Sequence, residues 1–462
     1  MSAAVIPCPV IVPTGGLPSL DCPATVVPLT PVGQDHGPPC RVTPVSTTPD
    51  GSGPDGADPD GADPDGADPG GAVPDGTRRL RLLQLASLTS TVDRFAIAPL
   101  LVPIAASFSA PLAAAAGAAG GYFLAYGLMQ VVWGVLSDRI GRVRVMRLAL
   151  VGAVLGGVAS VLAPTLAVLV VARVVTGACT AALIPAALVY VGDTWPAAVR
   201  QRPLSDLLAA TALGTAVATA GAGLLADLAG WRVVLGATAA GCAVLFVALR
   251  ALPEPDGART TSRGIVDAVL RPLAAVAGNG WARLVLALAF VEGAVVLGVL
   301  TYLAPSLQAG GSSAALAGLA AGGYGVGAVL FSRVVRRLVG RLRPAALAAV
   351  GGGFLVIAWV FPLVVVHPVT VAVAGLCLGG AWAFLHSTLQ TWATEVVPQA
   401  RATAVALFAT LLFLGSSAGT ALGAPLADAG RFAPLFAAAL VASVPLALVA
   451  AWTRARYARR AA

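Results

Sequence analysis

Lysine is absent from this chain: all 29 basic residues are arginine. Charge of any kind is scarce, at 11% of residues against 58% hydrophobic, and the mean hydropathy is +0.86. A soluble chain of 462 residues carries more charge, because its wetted surface is large. The three histidines are scattered, and neither a CxxC nor any metal-ligand spacing occurs. Cys8, Cys22 and Cys40 fall in the first fifty residues, while Cys179, Cys242 and Cys377 fall inside apolar runs. That pattern excludes a disulfide framework and a metal centre, and no cofactor is expected. No Walker motif and no G-x-S-x-G elbow is present, which excludes nucleotide-driven work and argues against a membrane enzyme. The run "AAGGYGVGAV" at 320–329 is glycine-rich but has no lysine and no strand context, so it is no phosphate loop.

What the chain has is long apolar runs. After Leu80 twelve of them approach the ~20 residues a helix needs to cross about 30 Å of hydrocarbon. They lie at 82–106, 113–136, 145–165, 167–191, 205–227, 231–250, 282–305, 314–335, 344–363, 368–391, 402–426 and 432–453. Few show the polar stripe of a soluble amphipathic helix. In lipid, a backbone must satisfy its own polar groups, and helices do so.

Residues 1–77 are different. They contain "PDGADPDGADPDGADPGG" and carry ten aspartates against one arginine. Asp, Gly and Pro break regular structure, so a disordered tail is expected there, either an interaction arm or a dispensable extension. It does not open with the basic and apolar regions of a secretory signal.

The arginines sort by joint. Those before the first span, at the 2–3, 4–5, 8–9 and 10–11 joints, in the middle connection and at the C-terminus number 24; the opposite side receives Arg232 and Arg431. Cytoplasmic loops carry this excess, so both termini are expected in the cytosol and the span count is even. The same division among loops leaves no single basic patch with aromatic partners, which excludes nucleic acid as a partner.

The longest internal connection, 251–281, separates a bundle at 78–250 from one at 282–462. The halves echo each other: "GLLADLAGWRVV" at 223–234 matches "APLADAGRFAPL" at 424–435, placing Asp227 and Asp428 201 residues apart. Paired halves suit alternating access around a mid-membrane site. The expected fold is all-α, with twelve transmembrane helices in two pseudo-symmetric six-helix bundles.

"GVLSDRIGRVRV", Gly134 to Val145, resembles the loop 2–3 signature of the major facilitator superfamily: Gly134, the acid–arginine pair Asp138 and Arg139, then Gly141 and Arg142. "RVVTG" at 173–177 resembles the family's fourth-helix motif, "AGWR" at 229–232 its opening of the sixth helix, and 386–408 the tenth-to-eleventh passage of its bacterial drug and metabolite efflux branch. The resemblance covers about residues 78–456. It implies a gating role for Gly134, Asp138, Arg139, Gly141 and Arg142. The glycine–proline motif of many antiporters is missing from the fifth helix, where the matching stretch of Gly214, Ala218, Thr219, Ala222 and Gly223 has no proline, and Arg337 stands near the second-half position of Asp138. Close helix packing is still expected at Gly177, Gly214, Gly221, Gly223, Gly415, Gly419 and Gly423.

Ionisable residues inside spans are costly and face a cavity or a partner. Asp93 and Arg94 lie in the first span; as neighbours they point about 100° apart and pair poorly with each other. Arg173 on the fourth span can meet Asp93, either as a fixed ion pair or around a titratable acid. Glu292, with no arginine in its own segment, is the better candidate proton site. His386 and Gln390, four residues apart, are expected to share a face lining the cavity. The expected function is export of a small amphipathic drug or metabolite in exchange for protons, by a monomer in the cytoplasmic membrane. Uptake of a sugar or organic acid by symport or uniport is the alternative, and a non-transporting membrane sensor or assembly protein is a third.

Overall fold

A computed structural model describes residues 75–255 and 270–461. Most of the tail and the centre of the middle connection lie outside the described residues. Among the described residues, twelve helices are long and apolar enough to cross a membrane. The first six are α1 Gly76–Ser107, α2 Leu112–Ile140, α3 Arg142–Val161, α4 Leu166–Thr194, α5 Gln201–Ala229 and α6 Trp231–Ala251. The second six are α7 Gly280–Ala309, α8 Ala314–Leu338, α9 Pro344–Val364, α10 Pro368–Val396, α11 Pro398–Asp428 and α12 Phe432–Arg460. A short helix, Arg271–Gly278, precedes α7.

The ends follow from local chemistry. Thr165 and Ser313 cap α4 and α8 by accepting the N–H groups of Val168 and Leu316. Asn279 Oδ1 accepts from Trp281 and Ala282 at 2.9 and 3.1 Å to open α7. Prolines stand at the first positions of α9 and α10, where their missing N–H costs nothing. Pro99 sits in a 3-10 turn that interrupts α1 at Ala98–Leu100.

Packing repeats with a period of six helices. α1 packs on α5 as α7 does on α11; α2 on α4 as α8 on α10; α3 on α4 as α9 on α10; α3 on α6 as α9 on α12. Two seams join the halves, α2 along α11 and α5 along α8, and each is the other's counterpart. Small residues set the closeness of helices at the α5–α8 seam and within each half. A Cβ on Gly223 of α5 would strike the Ala314 carbonyl of α8, and one on Gly415 of α11 would strike the Phe290 carbonyl of α7. Gly419 lies similarly close to Ala294, Gly423 to the Tyr302 ring and Gly177 to the Tyr122 backbone, whereas a Cβ on Gly214 would sit 3.1 Å from Thr91, tight but without overlap. Gly221 is the exception: nothing lies within 4 Å of its Cβ position. It faces an apolar groove of about 310 Å³ between α1, α5 and α6 rather than a packed neighbour.

The outer surface carries the apolar residues a lipid environment requires. Leu155, Leu162, Val244, Val364, Leu422 and Val441 are 65 to 78% exposed. Inside, several buried hydroxyls return to their own helices. Thr91, Ser160 and Thr176 each donate to the carbonyl four residues earlier at 2.8 Å, so they add no unpaired polar group.

Candidate functional site

Polar side chains gather at three depths, and the arginine-rich end comes first. Gly141 links α2 to α3 at φ 109°, a conformation that a Cβ disfavours. Directly after it, Arg142 is buried and holds two acids. It pairs with Asp138 and, through Nε at 3.0 Å, with Asp193 at the end of α4; its Nη1 also donates to Ser137. Glu254, just beyond α6, accepts from the Val143 and Arg144 N–H groups at 3.1 and 3.2 Å and so closes the N-terminus of α3. Asp138 is half exposed and Arg139 exposed, and nothing lies within 4 Å of a Cβ on Gly134. Thus Arg142 ties α2, α3 and α4 together within the first half. The second half uses a different pair: Glu395 of α10 meets Arg454 of α12 at 2.7 Å.

A Cβ at position 141 would collide with the Glu254 carboxylate as well as strain the backbone. Gly141→Ala is expected to destabilise the joint by about 1–3 kcal/mol, read as a lower melting temperature in detergent. Glu254→Ala should not restore it, because the φ strain persists.

At mid-depth, Arg173 of α4 grips Asp93 of α1. Its Nη1 reaches Asp93 Oδ1 at 2.9 Å and its Nη2 reaches the Asp93 carbonyl at 2.8 Å, with both side chains fully buried. The guanidinium lies 4.7 Å over the Tyr122 ring, whose hydroxyl bonds Thr180 at 2.6 Å. Of the two arrangements open to Asp93, the structure holds the ion pair.

Glu292 is fully buried on α7 but is not alone. His386 Nδ1 of α10, 94 residues away, lies 3.2 Å from Glu292 Oε2. The other carboxylate oxygen, Oε1, is buried without a hydrogen-bond partner. Both residues border π-helical turns, Ala294–Gly298 in α7 and Trp382–His386 in α10, a local widening that recurs at functional sites. The imidazole stacks on Trp382 with ring centroids 3.6 Å apart. Trp382 lies 6.2 Å from Tyr324 of α8, which lies 5.9 Å from Phe95 of α1, so a row of rings runs from Glu292 to the seam between the halves. Gln390, four residues further along α10, is exposed, whereas His386 is buried. α10 is regular α-helix from Ser387 to Val396, so the two residues stand about one turn apart, with Gln390 nearer the arginine-rich end.

At the arginine-poor end, both repeated aspartates cross between halves. Asp227, ending α5, accepts from Ala314 and Ala315 at the start of α8 at 3.1 and 2.8 Å. Asp428, ending α11, accepts from Ala113 at the start of α2 at 3.3 Å. Gln308 of α7 adds a bond to the Pro99 carbonyl of α1 at 2.9 Å. This end is latched shut.

The sequence model of the Major Facilitator Superfamily matches residues 83–420. The chain belongs to the major facilitator superfamily. It is therefore a multi-pass membrane transporter and not an enzyme. Over 94 residues this superfamily member is 39% identical to a triacylglyceride transporter of Mycolicibacterium hassiacum, a stretch covering 20% of this chain and 18% of that protein. A triacylglyceride transporter of Mycolicibacterium smegmatis is 35% identical over 94 residues, covering 20% and 17%. The chain thus spans less than a fifth of either relative's length. Among solved structures, a nucleoside transporter superposes with a TM-score of 0.69 at 13% identity, over 81% of this chain and 98% of that one. A D-xylose–proton symporter gives 0.68 at 17% identity, over 81% and 97%. Both share the superfamily fold.

Three contributors escape the sequence reading of this superfamily member: Asp193, Glu254 and the aromatic side chains facing Arg94. One signal was available for the first. Asp193 and Glu395 each stand three residues before a proline, at Pro196 and Pro398, an acid-x-x-Pro echo between the halves.

Proposed function

We propose that the chain is a proton-coupled secondary transporter that exports a small amphipathic drug or metabolite in exchange for protons. The observation that carries proton coupling is the buried Glu292–His386 pair, with one carboxylate oxygen unanswered at the end of a ring path to the seam. A carboxyl and an imidazole in contact can hold one proton between them and release it when the halves rearrange. Export is supported by the resemblance of residues 386–408 to the efflux branch. A second reading, uptake together with protons, is favoured by Arg94, a guanidinium buried at mid-depth. The Arg142 cluster serves as the gate at the arginine-rich end, which the charge asymmetry assigns to the cytosol. Both termini then lie in the cytosol, the membrane is the cytoplasmic one, and one chain with its two halves acts as a monomer.

In proteoliposomes with an imposed pH gradient, flux of labelled compounds from an amphipathic drug panel is expected to follow the gradient. Glu292→Gln should lower it at least tenfold, the scale of a lost general acid–base group. Gradient-driven flux that survives in that variant removes Glu292 from the scheme. The sign of the flux decides between exchange and cotransport.

A further inference from the structure

Among the described residues, no acid answers one buried cation at mid-depth. Arg94 of α1 is 7% exposed, its Nε has no hydrogen-bond partner, and its sequence neighbour Asp93 is taken by Arg173. What surrounds its guanidinium is aromatic: Phe95 and Tyr126 at 5.0 Å and Phe413 at 5.2 Å from the ring centroids. Cation–π contacts of this kind are worth about 0.5–2 kcal/mol. They do not replace the hydration that a guanidinium loses in a bilayer interior.

The cage spans two halves. Phe95 and Tyr126 belong to α1 and α2, whereas Phe413 belongs to α11, and the Tyr126 and Phe413 rings lie 4.5 Å apart. Movement of the halves about this seam lifts Phe413 away and uncovers the guanidinium donors. A planar, permanently charged fork suits a carboxylate, phosphate or sulfonate, and the flanking rings suit an apolar body.

We propose that Arg94 anchors the acidic head group of the transported molecule, so that the substrate class is an amphipathic organic anion. This rests on the reading of the chain as a proton-coupled carrier, and not on its direction. The row of rings from Phe95 through Tyr324 and Trp382 to His386 joins the Arg94 cage to Glu292. A proton on Glu292 therefore removes a negative charge that opposes an anion at Arg94, and the two guests bind better together than apart. That sign is the one cotransport uses; exchange requires competition.

The test uses the full chain in phosphatidylcholine nanodiscs. Matched triads of an acid, its neutral amide and the corresponding amine, on naphthyl, biphenyl and dodecyl bodies, are titrated by scintillation proximity. The acid is expected to bind at least tenfold tighter than its amide and amine on at least one body. Arg94→Gln should abolish that preference, and Arg94→Lys should keep part of it. Lowering the pH from about 8 to about 6 should tighten acid binding in the wild type and not in Glu292→Gln. Anionic lipid head groups carry the same chemistry: competition by added phosphatidylglycerol assigns the anchor to a lipid-borne anion, and no competition to a free one. Acids that bind no better than their amides and amines in every triad, or not at all, overturn the proposal. So does an acid affinity within twofold of wild type in a monodisperse Arg94→Gln protein. If anion preference holds while Glu292→Gln still carries gradient-driven flux, the proton assignment falls and the anchor stands.

Discussion

Asp93→Asn is expected to lose about 3–5 kcal/mol of stability, the cost of leaving one member of a buried ion pair unanswered. The stranded group is Arg173, fully buried, with its best hydrogen bonds on the Asp93 carboxylate and carbonyl. The carbonyl bond survives the substitution, but the countercharge does not. The Tyr122 ring below the guanidinium and the Tyr122–Thr180 bond hold it in place, so it has no route to water. Arg173→Lys should be nearly as damaging, since an ammonium cannot reach the carboxylate and the carbonyl with the same fork. Replacing both residues, Asp93→Leu with Arg173→Leu, removes both charges and should retain a melting temperature closer to wild type than either single change. Melting curves of the four proteins in one detergent check this. A single Asp93→Asn protein as stable as wild type would mean that the pair contributes nothing to the fold.

Removing both crossing aspartates should open the arginine-poor end. Asp227 and Asp428 are exposed, so each contact with a helix N-terminus is worth only about 0.3–1 kcal/mol. Their combined loss shifts the balance between closed and open about 3- to 30-fold. Ala304 is fully buried on α7 near that end, and a cysteine in its place reports the opening. In an otherwise cysteine-free protein, an impermeant maleimide should label Ala304→Cys several-fold faster when Asp227→Asn and Asp428→Asn are both present. Each single change should give an intermediate rate, because the two contacts are related by the repeat and act in parallel. Equal rates in all four backgrounds would show that these contacts do not govern closure.

The membrane architecture was legible because hydrophobic length leaves little choice. All twelve expected spans match helices, but most observed ends run further; the third helix instead starts earlier and stops at Val161 rather than 165. The first helix begins at Gly76 rather than 82, and the eleventh runs from Pro398 to Asp428 rather than 402–426. Apolar windows register hydrocarbon, whereas helices continue into the headgroup region on charged residues such as Arg78 and Arg79. The aspartate repeat was visible at 227 and 428, yet its purpose was not, because their partners are backbone N–H groups of distant helices. The same limit hid the mid-depth chemistry. Nothing near Glu292 in sequence announces His386, and the three rings around Arg94 come from three different helices. Asp93 and Arg173 could be matched because both are charges inside apolar runs, where an isolated charge needs a partner. For His386 and Gln390, spacing could place both on one helix face but could not say that one is buried and the other exposed.

Alternating movement of the halves is tested most directly by two distances measured in one protein. Spin labels at Leu228→Cys and Leu316→Cys report the arginine-poor end, and labels at Arg139→Cys and Ala402→Cys report the arginine-rich end. Double electron–electron resonance in nanodiscs, across a pH series and with a bound acid, should show one distance lengthening as the other shortens. Two distances that stay fixed, or that lengthen together, would contradict a two-state carrier built on these halves.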